Sequence, residues 1–184
     1  MFKKIVKLIV NPFIIFHFKN RLKFFLKKNC ECNKILILDI DNTIANTWVY
    51  LKNKQSETNI SYKDIPVLSK TLDHIATYYA TLPIVFLSHR NVMTFNETSQ
   101  WLNQKITKKE HLLVLVSNPY DKLYYINMVL KKSKVIYYDD LSYNHEKGIV
   151  FFYDKIINEV KKLDLIYYDY EFIKELNQNI SHVE

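Results

Sequence analysis

Short apolar runs and helical patterns alternate along the chain. The apolar runs lie at residues 34–38, 83–87, 112–116, 134–138 and 163–168. Runs of this length between polar residues are typical of buried strands. Apolar residues at helical spacing fill the segments between them, at 68–79, 95–106, 123–130 and 149–160. Because strands alternate with helices, the pattern predicts an α/β fold of three layers, Rossmann-like, with a mainly parallel central sheet.

The first 30 residues form a basic arm. Residues 1–28 contain eight lysine or arginine residues and no acid, whereas the rest of the chain holds 18 cations and 19 acids. Lys7, Asn11 and Pro12 interrupt the apolar stretch of the basic arm, so it is unlike a signal peptide and unlike a bilayer span, which needs about 20 apolar residues. We expect the basic arm (1–30) to remain on a single catalytic domain (31–184).

The composition of the basic arm suits an anionic membrane surface. Ile, Leu and Phe lie among its lysines, a mixture typical of segments in the membrane interface. The alternatives are a helix that packs on its own domain or on a second copy of the chain, as in a homo-oligomer. We expect a cytoplasmic protein, peripheral at the inner face of the membrane.

Residues 46–63 interrupt the alternation of strands and helices. Residues 48–51 suggest one arm of a small hairpin, and the remainder is polar. We interpret this segment as a small flap over the site, in place of a large cap.

Glycine and cysteine usage excludes several classes of site. Gly148 is the only glycine in the sequence, so there is no glycine-rich phosphate loop and no GxGxxG turn. Cys30 and Cys32 are too close in sequence for an ordinary disulfide and too few for a zinc site. This usage is typical of a reduced, cytoplasmic domain.

Polar residues follow the predicted strands where each strand ends. In an open α/β sheet, ligands bind outside the carboxyl ends of the strands. Carboxylates, a hydroxyl and an ammonium are expected at that edge: Asp39 and Asp41 after the first strand, Ser88 after the second, Asp139 and Asp140 after the fourth, and Lys122 in the first turn of the preceding helix. Close carboxylates repel, and Mg²⁺, which prefers oxygen ligands, relieves that repulsion.

This ordered set resembles the motifs of the haloacid dehalogenase superfamily, specifically its magnesium-dependent phosphatases with a minimal cap. The matching elements are Asp-x-Asp-x-Thr at 39–43, the strand-terminal Ser88, Lys122, and the aspartate pair Asp139 and Asp140. They span residues 34 to about 145, most of the predicted domain.

The resemblance implies a role for each matching residue. Asp39 would attack phosphorus and form an aspartyl-phosphate, and Asp41 would transfer protons to the leaving oxygen and from water. Mg²⁺ would bind Asp39, the backbone carbonyl of Asp41 and one acid of the Asp139–Asp140 pair, with Asp140 favoured as the direct ligand. The phosphoryl oxygens would be bound by Thr43, Ser88 and Lys122.

Five further residues could contact substrate because they adjoin the motifs: Asn42, His89, Arg90, Asn144 and His145. Solvated rim positions are the alternative for the histidines and the arginine. Asn144 stands where many members of the superfamily have a further acid.

The function expected from the resemblance is hydrolysis of a phosphomonoester. A small flap leaves the site open, which favours bulky phosphorylated substrates such as a glycan, a nucleic acid end or a lipid-linked phosphate. Two alternatives remain. The first is a nucleic acid end phosphatase whose basic arm grips the backbone, although the many Ile and Phe residues favour lipid. The second is a non-catalytic interaction module of the same fold at the membrane.

Overall fold

A five-stranded parallel sheet forms the centre of the protein. The computed structural model describes residues 2–53, 61–106, 110–143 and 149–178, and their side chains from Pro12 onward, except that of Asn53. The strands are β1 (Lys34–Leu38), β2 (Ile84–Ser88), β3 (His111–Leu115), β4 (Lys134–Tyr138) and β7 (Leu165–Tyr168), in the spatial order β3-β2-β1-β4-β7. The predicted fold class is therefore confirmed, and each predicted strand is found within two residues of its expected bounds.

Helices cover both faces of this sheet. They are α1 (Phe2–Lys28), α2 (Thr47–Asn53), α3 (Ser69–Tyr79), α4 (Phe95–Lys105), α5 (Asp121–Leu130), α6 (Asp154–Val160) and α7 (Tyr170–Gln178). The chain passes from β1 through β2 to β3 in one direction and returns through β4 to β7 in the other. Right-handed crossovers place the connecting helices of the two halves on opposite faces. Contacts between α3 and α7, and between α5 and α6, agree with this layering.

The central strand β1 is buried on both of its faces. Four consecutive residues of β1, from Ile35 to Leu38, have relative exposures of 1% or less. Strands covered on both sides have continuous apolar sequences of this kind. Because β1 lies between β2 and β4, its carboxyl end is flanked by Ser88 and Asp139, at the point where the strand order reverses.

Two local predictions are wrong. Residues 48–51 lie in α2 and form no hairpin arm. The helix predicted at 149–160 begins only at Asp154, because Phe151–Phe152 (β6) pairs antiparallel with Ser142–Tyr143 (β5). Part of the predicted flap, residues 54–60, lies outside the described residues.

Helix α1 packs one side on the sheet. Phe18, Leu22 and Phe25 are buried in the core, and α1 contacts β3 at the sheet edge. The Tyr125 hydroxyl of α5 donates to the carbonyl of Ile15 at 3.4 Å. Within the described part of the chain, no helix has an apolar stretch long enough to cross a membrane. The division of the chain at residue 30 stays a prediction.

Candidate active site

Lys122 lies at the centre of the candidate site, between two aspartates. Its Nζ donates to Oδ1 of Asp39 at 3.0 Å and to Oδ2 of Asp139 at 2.6 Å. All three side chains are at most 6% exposed. Burial alone would lower the pKa of Lys122, but the two carboxylates hold it above its ordinary value. The ammonium therefore stays charged and compensates part of the negative charge at this edge.

Protein donors engage both oxygens of Asp139. The Tyr137 hydroxyl and Lys122 donate to Oδ2, and the backbone N–H of Leu141 donates to Oδ1 at 2.8 Å. Leu141 has a φ of 42°, a left-handed conformation that costs a leucine about 1 to 3 kcal/mol. Asp140, whose Oδ2 accepts from Ser142, also lines the cavity. The choice of Asp140 as the direct metal ligand stays a prediction, and the hydrogen bonds to both oxygens of Asp139 favour it.

The carboxylates fit a divalent cation. Asp39, Asp139 and Asp140 are buried and each offers one oxygen within 4.8 Å of the others. Burial raises the pKa of Asp39 to about 7 and, although Lys122 opposes this shift, the charges on Asp139 and Asp41 add to it. Carboxylate oxygens that raise one another's pKa in this way are ligands suited to a hard ion such as Mg²⁺.

Asp41 forms a bidentate ion pair with Arg90. The guanidinium donates from Nε to Oδ2 at 2.8 Å and from Nη2 to Oδ1 at 2.6 Å. The Thr47 hydroxyl also donates to Oδ1, at 2.7 Å. Burial would raise the pKa of Asp41, but Arg90 and Thr47 hold it below its usual value. Asp41 is therefore ionised at neutral pH, as a proton acceptor must be. The proton-donor role also predicted for it stays a prediction.

Arg90, predicted as a possible substrate contact, is buried and lines the cavity, and its contact with substrate stays a prediction. Its relative exposure is 4%, and its guanidinium lies over the Tyr62 ring at 4.9 Å from the ring centroid. A third contact joins it to the Thr98 hydroxyl at 3.3 Å. The planar fork of arginine matches a carboxylate in this bidentate geometry, so Arg90 orients Asp41.

The segment that follows β1 and carries Asp41 and Thr47 turns sharply. Backbone N–H groups of Ile44 and Ala45 both donate to the carbonyl of Ile40, at 3.1 and 2.9 Å. Asn42 has a φ of 55°, a left-handed conformation that asparagine tolerates. Its Oδ1 accepts from the backbone N–H of Trp48 at 2.9 Å, so Asn42 ties this turn to α2.

Thr43 and Ser88 are placed differently from one another. Thr43 is fully buried, and its Oγ1 accepts from the backbone N–H of Asp140 at 3.3 Å. It is not among the described residues that line the cavity. Ser88 lines the cavity, with its Oγ 3.5 Å from Oδ2 of Asp41. Phosphate binding by either residue stays a prediction.

A cavity of about 330 Å³ opens over these groups. The structure brings most of the predicted site residues to its wall: Asp39, Asp41, Asn42, Ser88, His89, Arg90, Lys122, Asp139 and Asp140. His89 also contacts the Ser117 carbonyl through Nε2 at 3.3 Å. Asn144 and His145 lie outside the described residues. Four carboxylates and two cations among these residues leave a formal charge of two negatives, which a divalent cation would balance.

Three supporting residues were not identified from the sequence. Tyr137 donates to Asp139, Thr47 donates to Asp41, and Tyr62 lies against Arg90. Of these three, only Tyr137 could have been identified from the sequence, because it lies two residues before Asp139 on a strand and therefore points to the same face. Thr47 and Tyr62 belong to the irregular segment after β1, whose path the sequence pattern does not indicate.

The sequence matches no protein-family model and no curated protein. Among solved structures, the chain is similar to the class C acid phosphatase from Bacillus anthracis with tungstate bound, with a TM-score of 0.44 and 15% identity over 90% of this chain and 81% of that chain. A second structure of the class C acid phosphatase from Bacillus anthracis matches with a TM-score of 0.43 and 13% identity over 95% and 85% of the two chains. With likenesses this distant, the function is inferred from the site itself.

Proposed function

We propose that this protein hydrolyses phosphomonoesters through a covalent aspartyl-phosphate on Asp39, with a divalent cation such as Mg²⁺. The observation that supports the proposal is the surroundings of Asp39. It is buried at the end of β1, contacts Lys122, lies within 4.8 Å of two further carboxylates, and lines an open cavity. A carboxylate beside a fixed ammonium and a cation site can attack phosphorus while the phosphate charge is neutralised.

The proposed first step forms a bond from a carboxylate oxygen of Asp39 to phosphorus. The bond from phosphorus to the leaving oxygen breaks, and that oxygen takes the proton of Asp41, which acts in this step from its protonated form, the minor form at neutral pH. In the second step water attacks phosphorus, the bond to Asp39 breaks, and Asp41 accepts the proton of the water. The products are an alcohol and inorganic phosphate.

Lys122 and the cation have complementary roles in this proposal. The Lys122 ammonium holds the attacking carboxylate and would bind the charge that develops on the phosphoryl oxygens. A divalent cation held by Asp39 and Asp140 would neutralise charge shared by the nucleophile and the phosphate. Ser88, which also lines the cavity, would donate to a phosphoryl oxygen.

The open cavity supports a bulky or membrane-proximal substrate. Trp48, Leu51 and Tyr62 line one side of the cavity, and they belong to α2 and a single helical turn, with no larger covering element among the described residues. A phosphate on a glycan or on a lipid carrier fits such an opening better than a small metabolite, which needs to be enclosed.

Removal of the metal tests this proposal. We expect the full-length protein to hydrolyse 4-nitrophenyl phosphate with Mg²⁺, to lose about 100-fold or more of that rate in EDTA, and to recover it with excess Mg²⁺. An unchanged rate in EDTA would contradict the cation site. Failure to hydrolyse aryl, sugar, nucleotide and prenyl phosphates under all these conditions would contradict the hydrolase itself.

Substitution of Arg90 tests its role as a positioning residue. Arg90→Gln leaves Asp41 without its bidentate partner, so we expect kcat to fall by about 100-fold with little change in KM. Arg90→Lys should not restore kcat, because lysine cannot form two parallel hydrogen bonds to one carboxylate. Arg21→Gln, which removes the other arginine, is the matched control. A large rise in KM with unchanged kcat would indicate that Arg90 binds substrate instead.

A further inference from the structure

Helix α1 has a second side that carries exposed apolar side chains. Its inward residues are buried at 9% or less: Phe18, Leu22, Phe25 and Leu26. Three other phenylalanines of the same helix are 63% to 71% exposed: Phe13, Phe16 and Phe24. Large apolar side chains grouped in this way on a protein surface indicate an interaction site.

Lysines flank these phenylalanines on the side of α1 that faces α5. Lys19, Lys23 and Lys27 of α1 line a surface cavity of about 640 Å³ together with Lys131 and Lys132, which follow α5. No acid is among the described residues that line this cavity. Residues 1–28 as a whole hold eight cations and no acid, while the remainder of the chain is close to neutral. The outward side of α1 therefore combines apolar rings with an excess of positive charge, and Glu110, which lines the groove beside these rings, is paired with Lys28.

The direction of α1 brings this surface to the edge of the sheet that holds the site. Phe18 packs on Phe95, which begins the helix after β2, with ring centroids 6.0 Å apart. At the other end of α1, Lys28 pairs with Glu110, just before β3 begins. The first half of α1 thus lies toward the carboxyl ends of the strands. A groove of about 930 Å³ runs beside α1 and is lined by Phe13, Phe16 and Val92 toward this edge and by Glu110 at its other end. Val92 is two residues from Arg90.

We propose that the outward side of α1 docks on an anionic lipid bilayer, with the phenylalanines among the acyl chains and the lysines against the headgroups. Apolar burial plus attraction to anionic lipid is what holds such helices in the membrane interface. A second copy of the chain fits less well, because a twofold interface would place the same cationic surface against itself. Docking in this orientation places the candidate active site beside the membrane, whatever reaction that site catalyses.

Flotation of full-length protein with lipid vesicles tests the proposal. We expect it to float with vesicles that contain phosphatidylglycerol, to float poorly with pure phosphatidylcholine, and to be released by salt. Truncation of α1 is unsuitable because Leu22 and Phe25 are part of the core. Substitutions of exposed residues avoid that difficulty.

Two sets of substitutions separate the apolar and the ionic contribution. We expect Phe13→Ser, Phe16→Ser and Phe24→Ser combined to weaken vesicle binding by about 100-fold or more. Lys23→Gln, Lys27→Gln and Lys131→Gln combined should also weaken it by about 100-fold, at roughly fivefold for each lysine. The matched controls are Tyr78→Ser with Ile149→Ser, which are exposed apolar residues elsewhere, and Lys70→Gln, Lys155→Gln and Lys161→Gln combined.

Each outcome supports or overturns the proposal. Binding that falls in both α1 variants and persists in both controls supports it, with circular dichroism showing that all variants are folded. Equal flotation of α1 variants and controls would overturn it. An absence of flotation would also overturn it. In that case a dimer that the phenylalanine substitutions dissociate would indicate a second copy of the chain as the partner. Salt-sensitive binding to single-stranded nucleic acid would indicate nucleic acid instead.

Discussion

Replacement of Asp39 by asparagine is expected to lower the rate of phosphomonoester hydrolysis by on the order of 10⁴-fold or more. The amide is nearly the same size as the carboxylate but is a poor nucleophile, so the covalent step fails while the cavity keeps its shape. Asparagine also removes one of the three buried carboxylates and lowers their mutual repulsion. The variant should therefore remain folded. Steady-state hydrolysis of 4-nitrophenyl phosphate at saturating Mg²⁺ measures the loss.

Asp164→Asn is the matched control for this substitution. Asp164 is exposed and lines a separate surface cavity with residues at the amino ends of β1 and β4, so its substitution should leave the rate unchanged. Substantial activity in Asp39→Asn would show that another group attacks phosphorus. Loss of activity with a lowered melting temperature would be uninformative for the nucleophile, so thermal unfolding is measured for both variants.

Replacement of Lys122 by methionine is expected to lower the free energy of unfolding by about 3 to 5 kcal/mol. The Lys122 ammonium is the shared partner of Asp39 and Asp139, and all three side chains are at most 6% exposed. Methionine fills a similar volume but leaves two buried carboxylates without their counter-charge. Urea unfolding without added metal measures the change directly.

A second substitution separates charge from packing in this cluster. Asp139→Asn in the Lys122→Met background should recover part of the lost stability, because it removes one of the two uncompensated charges. Lys161→Met, at the exposed end of α6, is the matched control and should change stability by less than about 0.5 kcal/mol. A loss of under about 1 kcal/mol in Lys122→Met would contradict the buried ion pairs that Lys122 forms with Asp39 and Asp139.

The five strands of the central sheet could be located from the sequence because of where they lie. Strands buried on both faces are uninterrupted apolar runs, and β1, β2 and β4 are of this kind. Their carboxyl ends share one edge, so the apolar runs alone were enough to predict that Asp39, Ser88 and Asp139 lie together. Strand position and topology thus account for most of the candidate site.

Tertiary contacts explain why α2 was not predicted. Trp48, Val49 and Tyr50 are residues that favour strands, and their pattern indicated a hairpin. In the structure, Asn42 accepts from the backbone N–H of Trp48, and Thr47 donates to Asp41. These contacts come from a turn formed by other residues and fix the first turn of α2, so local preference was not decisive.

The pairing of charged side chains could not be predicted from the sequence either. Arg90 follows a strand by two residues, which is compatible with an exposed rim or with a buried ion pair. The structure shows the buried ion pair, because both oxygens of Asp41 accept hydrogen bonds from the Arg90 guanidinium. Lys122 could be selected from its place at the start of a helix, but its contact with Asp139 required the register of α5 against β4.

The order of synthesis has a consequence for α1. Lys28 and its partner Glu110 are separated by 82 residues, so the helix is translated long before the strand on which it packs. At typical elongation rates this delay is about 4 to 16 s, far longer than a helix needs to form. During that interval β3, on which α1 packs, is absent from the nascent chain. A chaperone or a membrane near the ribosome would meet both sides of the helix, whereas the folded protein exposes only one.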